Sequence, residues 1–226
     1  HQGVTGEFIL RAVGLNNTVY YFNRDRLMDN FNSSAINLMK GGIVYSNFVT
    51  TVSPRYANEI LTTDQGFGLS HTLYEHRIKF RGVINGIDYT FWNPEIDRNI
   101  PYNYGIDRLD SKFGNKEVLR HRLLLRQDFR PIIAYVGRLD HQKGGHLIKH
   151  AIFYALGNGC QFVLLGSSTD QELNDYFWQL KRHLNDNPDC HLEIGYNEEL
   201  AHLIYAGTDM IIIPSLFEPC GLTQII

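Results

Sequence analysis

Cysteine is scarce in this 226-residue chain. Its three cysteines, Cys160, Cys190 and Cys220, lie far apart, and no Cys-x-x-Cys pair occurs. An odd number of widely spaced cysteines does not indicate a disulfide framework, and without a paired motif it does not indicate a zinc site. We therefore expect a protein of a reducing compartment.

Long apolar runs and blocks of like charge are also missing. No apolar stretch approaches the roughly 20 residues that cross a bilayer, and 21 Lys and Arg stand against 24 Asp and Glu for a net charge of −3. Neither a membrane nor a nucleic acid is an expected partner. With 43% apolar and 20% charged residues, the composition is typical of a folded domain and excludes a disordered chain.

The two ends carry no targeting signal. The sequence begins without an initiator Met and stops directly after a predicted strand and loop. We expect it to be a fragment of a longer protein.

From residue 131 onward, short apolar runs alternate with helical stripes, which predicts an α/β architecture with a parallel sheet. Continuous apolar runs fit strands that are covered on both faces. The predicted strands are 131–137, 161–166, 190–194 and 209–214. The predicted helices between them cover 145–156, about 170–185, and a third segment that Asn197 can cap.

The first 85 residues are less regular. Helices are predicted at 37–45 and 56–61, the second behind an N-cap at Ser53 and a Pro at the first helical position. Strands are predicted at 48–52 and 79–84, and residues 88–128 are predicted to connect the two parts and to end in a helix near 115–125. A domain boundary is expected around 85–90.

Two cations follow the first strand of the second part. Ligands of open α/β sheets bind at the carboxyl ends of the strands, and here Arg138 and Lys143 precede a pair of glycines and a predicted helix. Such a loop could cradle an anion such as a diphosphate. The alternative is that Arg138 pairs with Asp140 and Lys143 is a solvated charge, and the residues alone leave both open.

The loop after the fourth strand contains Glu218, a glycine and a predicted helix start. A carboxylate there could accept hydrogen bonds from a sugar while backbone amides hold a phosphate oxygen. An acidic residue before a helix is also a common partner of the helix dipole, which is the alternative for Glu218. Tyr196, after the third strand, could stack on a base or simply pack.

Five strings of residues together point to one family: VTTVSPRYANEI, VINGIDYTFWNP, YVGRLDHQKGGHLI, FVLLGSS and NEELAHLIYAGTDMIIIPSLFEPCGLTQ. They closely resemble bacterial glycogen synthases and plant starch synthases, which are ADP-glucose-dependent retaining glucosyltransferases. LLGSS and FEPCGLTQ are most similar to the starch-synthase branch of cyanobacteria and of plant starch-granule initiation enzymes. The resemblance spans nearly the whole chain.

The resemblance implies a GT-B fold, in which two Rossmann-like domains with parallel sheets flank the active site. Both would be incomplete here: residues 1–85 would be the last part of the N-terminal, acceptor-side domain, and residues 86–226 a linker and the truncated nucleotide-sugar-binding domain. The implied activity is transfer of glucose, with retention, from ADP-glucose to the non-reducing end of an α-1,4-glucan. The family's Lys-x-Gly-Gly loop is not among these residues, so we expect the chain alone to be inactive.

The resemblance also assigns roles to residues. Arg138 and Lys143 would bind the donor diphosphate and Glu218 would contact the transferred glucose, which makes these three the expected catalytic residues. Tyr196 would stack on adenine. Asn85 is a candidate acceptor contact, although hinge geometry explains it equally well. The remaining expected substrate-binding residues are Cys220, Gly221, Leu222 and Thr223.

No metal and no other cofactor are expected, because fixed cations beside the leaving diphosphate can stabilise its charge. His146 and His150 have a spacing that can ligate zinc, but no carboxylate partner is evident and a solvated helix face is favoured. The expected partners are ADP-glucose and an α-1,4-glucan. The expected compartment is the cytoplasm of a cyanobacterium, or the plastid stroma of a plant or alga, and the sequence indicates no oligomeric state.

Two other functions stay open. One is a GT-B transferase that uses UDP-glucose, and the other is a catalytically silent glucan-binding protein, against which Arg138, Lys143 and Glu218 argue. A nicotinamide dehydrogenase is excluded, because no Gly-x-Gly-x-x-Gly follows a strand.

Overall fold

The computed structural model describes residues 2–226 as two compact units. The first unit ends at Gly86 and the second runs from Ile87 to Ile226. Both combine helices with short strands, as the α/β prediction requires. Among the described residues, no helix is long and apolar enough to cross a membrane.

The first unit contains two small sheets. Strands β1 (Val4–Gly6) and β2 (Ala35–Asn37) pair antiparallel, and β3 (Val49–Thr51) and β4 (Phe80–Gly82) pair parallel. The helices are α1 (Phe8–Ala12), α2 (Thr18–Tyr21), α3 (Leu38–Tyr45), α4 (Pro54–Thr62) and α5 (Ser70–Glu75).

Local signals explain how α3 and α4 begin. The Asn37 side chain accepts a hydrogen bond from the Lys40 N–H, and the Ser53 side chain accepts one from the Tyr56 N–H, with Pro54 at the first helical position. The Ser53 cap confirms the sequence prediction, while α3 begins one residue later than predicted because Asn37 is its cap.

The second unit is built on one parallel sheet in the order β7-β6-β5-β8. Its strands are β5 (Ile132–Arg138), β6 (Gln161–Ser167), β7 (Cys190–Ile194) and β8 (Met210–Ile211). Its helices are α6 (Ser111–Arg122), α7 (Gly145–Gly157), α8 (Gln171–Leu184) and α9 (Glu198–Gly207).

The sequence predictions were wrong about the bounds of two elements in this unit. Strand β8 has two paired residues instead of the six predicted at 209–214, because it lies at the sheet edge and its pairing with β5 ends soon after Ile211. Helix α6 starts four residues before its predicted position. The Asn197 side chain accepts from the Leu200 N–H and caps α9, as predicted.

Successive side chains of β6 enter two separate cores. Phe162 and Leu164 pack with residues of α7 and α8, while Val163 packs with residues of α6 and α9. All three side chains are fully buried, and burial of each stabilises the fold by about 1.5–3 kcal/mol. The sheet is therefore covered on both faces, which confirms the prediction from the continuous apolar runs.

Polar side chains close the amino edge of this sheet. Arg120 donates from Nε to Gln161 Oε1 at 2.9 Å and from a terminal nitrogen to the Arg130 carbonyl at 2.6 Å. Gln161 is fully buried, and its amide nitrogen donates to the Arg126 carbonyl at 2.8 Å. Asp189 pairs with Arg130 at 2.7 Å. The carboxyl ends of the strands form the opposite edge of the sheet, which we call the carboxyl edge. The loops in which function is expected lie there.

Candidate functional site

The loops after β5 and β8 are joined by backbone contacts. The Leu216 N–H donates to the Gln142 carbonyl at 2.8 Å. Gly144, which precedes α7, has a φ of +72°, and a Cβ there would lie 2.3 Å from the Pro214 carbonyl oxygen. Glycine is therefore required where the loop after β5 crosses the loop after β8, which we call the fourth loop. Residues 70 and 74 positions apart in the sequence are thereby brought into contact.

Lys143 and Glu218 form an ion pair between these two loops. Lys143 Nζ lies 2.6 Å from Glu218 Oε2, and each side chain is 22% exposed. The Ser215 hydroxyl donates to the same carboxylate oxygen at 2.9 Å. Lys143 is thus a paired, partly buried cation and not the solvated loop charge of the alternative interpretation.

The neighbours of Glu218 favour its ionised form. Burial alone would raise the pKa of this carboxyl. Hydrogen bonds from Lys143 and Ser215, the charge of Lys143 and the backbone N–H of Gly221 outweigh burial, and the pKa lies below its ordinary value. Glu218 is therefore a carboxylate at neutral pH, suited to stabilising positive charge and not to donating a proton.

Arg138 is paired with Asp140, which is the alternative that the sequence left open. Its Nη1 lies 3.0 Å from Asp140 Oδ2, and its side chain is 68% exposed. The other oxygen of Asp140 accepts the Lys143 N–H at 2.8 Å. Asp140 thus contacts the side chain of Arg138 and the backbone of Lys143. Because an exposed ion pair contributes only about 0–1 kcal/mol, Arg138 can exchange this partner for a ligand at little cost.

A cavity of about 270 Å³ opens beside Arg138 at the same sheet edge. Its walls include Trp92, Ser167, Tyr196 and Tyr205. Tyr196 is 83% exposed, and its hydroxyl donates to Glu198 at 2.9 Å. The cavity therefore combines aromatic rings with one of the two predicted diphosphate-binding cations.

The other predicted substrate residues lie in the fourth loop or in the first unit. Cys220 and Thr223 are partly buried and Leu222 is 38% exposed. Gly221 is buried, and the predicted helix start after it is a single 3₁₀ turn, Leu222–Gln224. Asn85 is exposed in the irregular stretch after β4. Its role as an acceptor contact stays a prediction.

Sequence reasoning missed Trp92, Tyr205 and Ser215. Burial raises the pKa of the Tyr205 hydroxyl, and the Thr223 side chain opposes that shift. Trp92 packs edge-to-face on Tyr205 at 5.5 Å between ring centroids. These contacts depend on how α9 packs and have no local spacing signal. The Trp-Asn-Pro string is the one sequence feature that could have drawn attention to Trp92.

The described residues, 2–226, contain no group of three or more His, Cys, Asp or Glu side chains placed to hold a metal ion. His146 and His150 are both exposed on α7. Arg138, Lys143, Asp140 and Glu218 contribute charge at this edge, and Glu198 lines the cavity beside Arg138.

The second unit is an α/β domain with an open parallel sheet, and its cations and aromatic rings lie at the carboxyl ends of the strands, where ligands of such sheets bind. The comparisons with known proteins show which proteins this chain is similar to. A family model described as the starch synthase catalytic domain matches residues 1–75. The chain is 64% identical over all 226 residues to glycogen synthase 2 of Methylococcus capsulatus and 61% identical to glycogen synthase 1 of Trichormus variabilis.

A solved structure agrees with these matches. The catalytic domain of starch synthase IV from Arabidopsis thaliana, bound to ADP and acarbose, superposes with a TM-score of 0.94 and 41% identity over 100% of this chain and 46% of that one. These matches confirm the resemblance to the glycogen synthase and starch synthase family and the GT-B fold class. The chain also covers 46% of each curated relative named above, so it spans about half their length.

Proposed function

We propose that this chain supplies donor-binding and catalytic residues of a retaining glucosyltransferase, which moves glucose from ADP-glucose to the non-reducing end of an α-1,4-glucan. The observation that carries the proposal is the 2.6 Å contact between Lys143 Nζ and Glu218 Oε2 across two loops at the sheet edge. Similarity to proteins named glycogen synthase, and to a starch synthase bound to ADP, supports the same activity.

The two charges suit the two halves of the reaction. Cleavage of the anomeric C–O bond leaves positive charge on the glucose and negative charge on the departing ADP. Lys143 can stabilise the diphosphate and the adjacent Glu218 can stabilise the oxocarbenium-like sugar, because both are fixed before the reaction begins. We propose that substitution occurs on the front face of the ion pair formed by the oxocarbenium-like sugar and the departing ADP, which accounts for retention.

Arg138 is the second cation of the proposed donor site. When the donor binds, its guanidinium leaves Asp140 and takes a phosphate oxygen, since an arginine fork pairs with phosphate as it does with carboxylate. Asp140 then still holds the Lys143 backbone N–H and maintains the shape of the loop. Tyr196 stacks on the adenine, and Cys220 to Thr223 line the phosphate side of the site.

The proposed reaction needs no metal and no other cofactor, because Arg138 and Lys143 supply the positive charge. The proposed partners are ADP-glucose and glucan, with neither a nucleic acid nor a membrane. The two glycogen synthases named above are bacterial proteins and have higher identity to this chain than the Arabidopsis structure has, which favours the cytoplasm of a bacterium over a plastid stroma. Activity that persists undiminished in excess EDTA would support metal independence, and its loss would contradict it.

The test is transfer of radiolabelled glucose to glycogen by the full-length gene product, with ADP-glucose and UDP-glucose compared as donors. We expect ADP-glucose to be preferred. Arg138→Ala and Lys143→Ala should each lower kcat by on the order of a hundredfold, as for other groups that stabilise transition-state charge. Lys149→Ala, which removes an exposed cation of α7, is the matched control and should leave kcat unchanged.

Other outcomes have definite meanings. A preference for UDP-glucose would replace the donor and keep the transferase. Glucan binding without transfer from either donor would identify a silent glucan-binding protein. Near-normal kcat in both cation variants would refute the roles assigned to Arg138 and Lys143.

A further inference from the structure

A histidine and an aspartate are paired inside the second unit, away from the ion pair of the candidate site. His202 Nδ1 lies 2.5 Å from Asp97 Oδ2, and the two side chains are 0% and 7% exposed. Because a carboxylate only accepts hydrogen bonds, Nδ1 carries the shared proton. The other ring nitrogen, Nε2, is buried and has no hydrogen-bond partner among the described residues. Such an atom destabilises a fold and calls for an explanation.

The explanation lies in what the imidazole ring touches. The Trp92 ring is stacked on His202, with ring centroids 4.0 Å apart and planes 7° apart. Phe91 packs edge-to-face on the same imidazole at 4.8 Å. A leucine in place of His202 would fill the volume without presenting a flat face, and a phenylalanine would leave Asp97 Oδ2 without its histidine partner. The histidine therefore supplies a flat ring, and its hydrogen bond to Asp97 holds that ring in a fixed orientation.

Trp92 depends on this support. It lies between Ile87 and Gly105 in a stretch without strand or helix, so side-chain contacts set the orientation of its ring. His202 is fully buried, whereas Trp92 is partly exposed and forms part of the wall of the 270 Å³ cavity, together with Arg138 and Tyr196. Trp92 therefore has one ring face stacked on His202 and contributes other surface to the lining of this cavity.

We propose that Trp92 is a binding residue for the base of the nucleotide donor and that the His202–Asp97 pair is its positioning unit. This inference rests on the proposed function, because it takes the cavity as the nucleotide subsite. Tyr196 is 83% exposed and gives a base little shelter from water on its own. Trp92 adds a second, less exposed aromatic surface, and every base has a face that can contact one.

The direct test is ¹⁹F NMR of the full-length protein labelled with 5-fluorotryptophan and titrated with ADP. The resonance lost in Trp92→Phe identifies Trp92, and Trp178→Phe identifies Trp178, which lies on α8 and is 41% exposed. We expect ADP to shift the Trp92 resonance and to leave the Trp178 resonance in place.

Kinetics separates binding from general stability. Trp92→Ala should raise the Kd of ADP and the KM for ADP-glucose by about tenfold, within the range for loss of one base–aromatic contact. The KM for glucan should not change, and Trp178→Ala should alter none of these constants. If Trp92→Ala folds poorly, the titration of the unmutated protein still decides the question.

The positioning unit is tested by paired substitutions. Asp97→Ala and His202→Asn should raise the KM for ADP-glucose several-fold, with kcat and the KM for glucan nearly unchanged, and should move the Trp92 resonance before ADP is added. Asp97→Asn should restore the donor KM, because its amide oxygen can still accept from His202 Nδ1. A merely structural pair would lower the melting temperature without separating the two KM values.

Two results separate a wrong role for Trp92 from a wrong proposed function. If ADP binds by calorimetry while the Trp92 resonance stays in place, Trp92 is not a base contact and the glucosyltransferase proposal stands. If the unmutated full-length protein binds no ADP at millimolar concentration, both are overturned.

Discussion

Glu218 shows how the chemistry of a single side chain depends on its neighbours. Burial opposes its charge, but a lysine, a serine hydroxyl and a backbone N–H converge on the carboxyl and keep its pKa low. The shift favours the folded state above the ordinary pKa of 4.5, and that stabilisation is lost as the pH falls through the lower folded-state pKa. Acid therefore weakens this contact only well below neutral pH.

The first prediction concerns this pKa. Removal of the cation in Lys143→Ala should raise the pKa of Glu218, because burial then acts against fewer compensating contacts. A ¹³C NMR titration of labelled glutamate, with the Glu218 signal assigned from Glu218→Gln, measures the change. Lys181→Ala, which breaks the separate pair with Glu193, should leave the titration of Glu218 unchanged. A Glu218 pKa that is the same with and without Lys143 would contradict the contact.

The sequence could predict part of this site. Lys143 and Glu218 meet because parallel strands place the loops that follow them at one edge of the sheet, which strand periodicity reveals. The pairing of Arg138 with Asp140 depends on a loop conformation that residue spacing does not specify. Trp92 and Tyr205 reach the cavity through tertiary packing, so no local pattern announces them.

Helix α7 begins after a residue whose conformation favours glycine. Its first turn follows Gly144, which takes a left-handed conformation directly against the Pro214 carbonyl. The start of α9 was easier to predict, because Asn197 is a typical N-cap residue. Strand β8 is shorter than predicted since apolar character alone does not show where edge pairing stops.

The second prediction is that Gly144→Ala destabilises the protein by about 1–3 kcal/mol, because the new Cβ is both strained and too close to the Pro214 oxygen. It should also raise the KM for the donor, since the fourth loop must move. Denaturant unfolding and donor kinetics measure the two effects. The matched control is Gly157→Ala at the other end of α7, where a Cβ would meet none of the described atoms within 4 Å. That change should stabilise by about 0.5 kcal/mol, and equal effects of the two substitutions would refute the account of this crossing.

In the second unit as a whole, stability and proposed function occupy opposite edges of the same sheet. The buried Arg120 and Gln161 close the amino edge, and the paired charges of the candidate site lie at the carboxyl edge. Substitutions of the buried polar residues at the amino edge should therefore lower stability and leave the donor KM unchanged.

The third prediction tests this separation. Arg120→Met keeps most of the side-chain volume but leaves Gln161 Oε1 buried without its donor, so it should lower the free energy of unfolding by about 1–3 kcal/mol. The KM for the donor should not change. Arg122→Met, on the same helix, removes a more exposed pair with Glu199 and should change stability by less than about 1 kcal/mol. A raised donor KM in Arg120→Met would show that the two edges are coupled.

The central claim is that Arg138, Lys143 and Glu218 act on one nucleotide sugar. The most direct measurement is a crystal structure of the full-length protein with ADP bound. We predict that Arg138 has left Asp140 and that its guanidinium and Lys143 Nζ both lie about 2.7–3.0 Å from oxygens of the same diphosphate, with Glu218 beside the position of the glucose. An ADP molecule bound elsewhere, with Arg138 still on Asp140, would contradict the account.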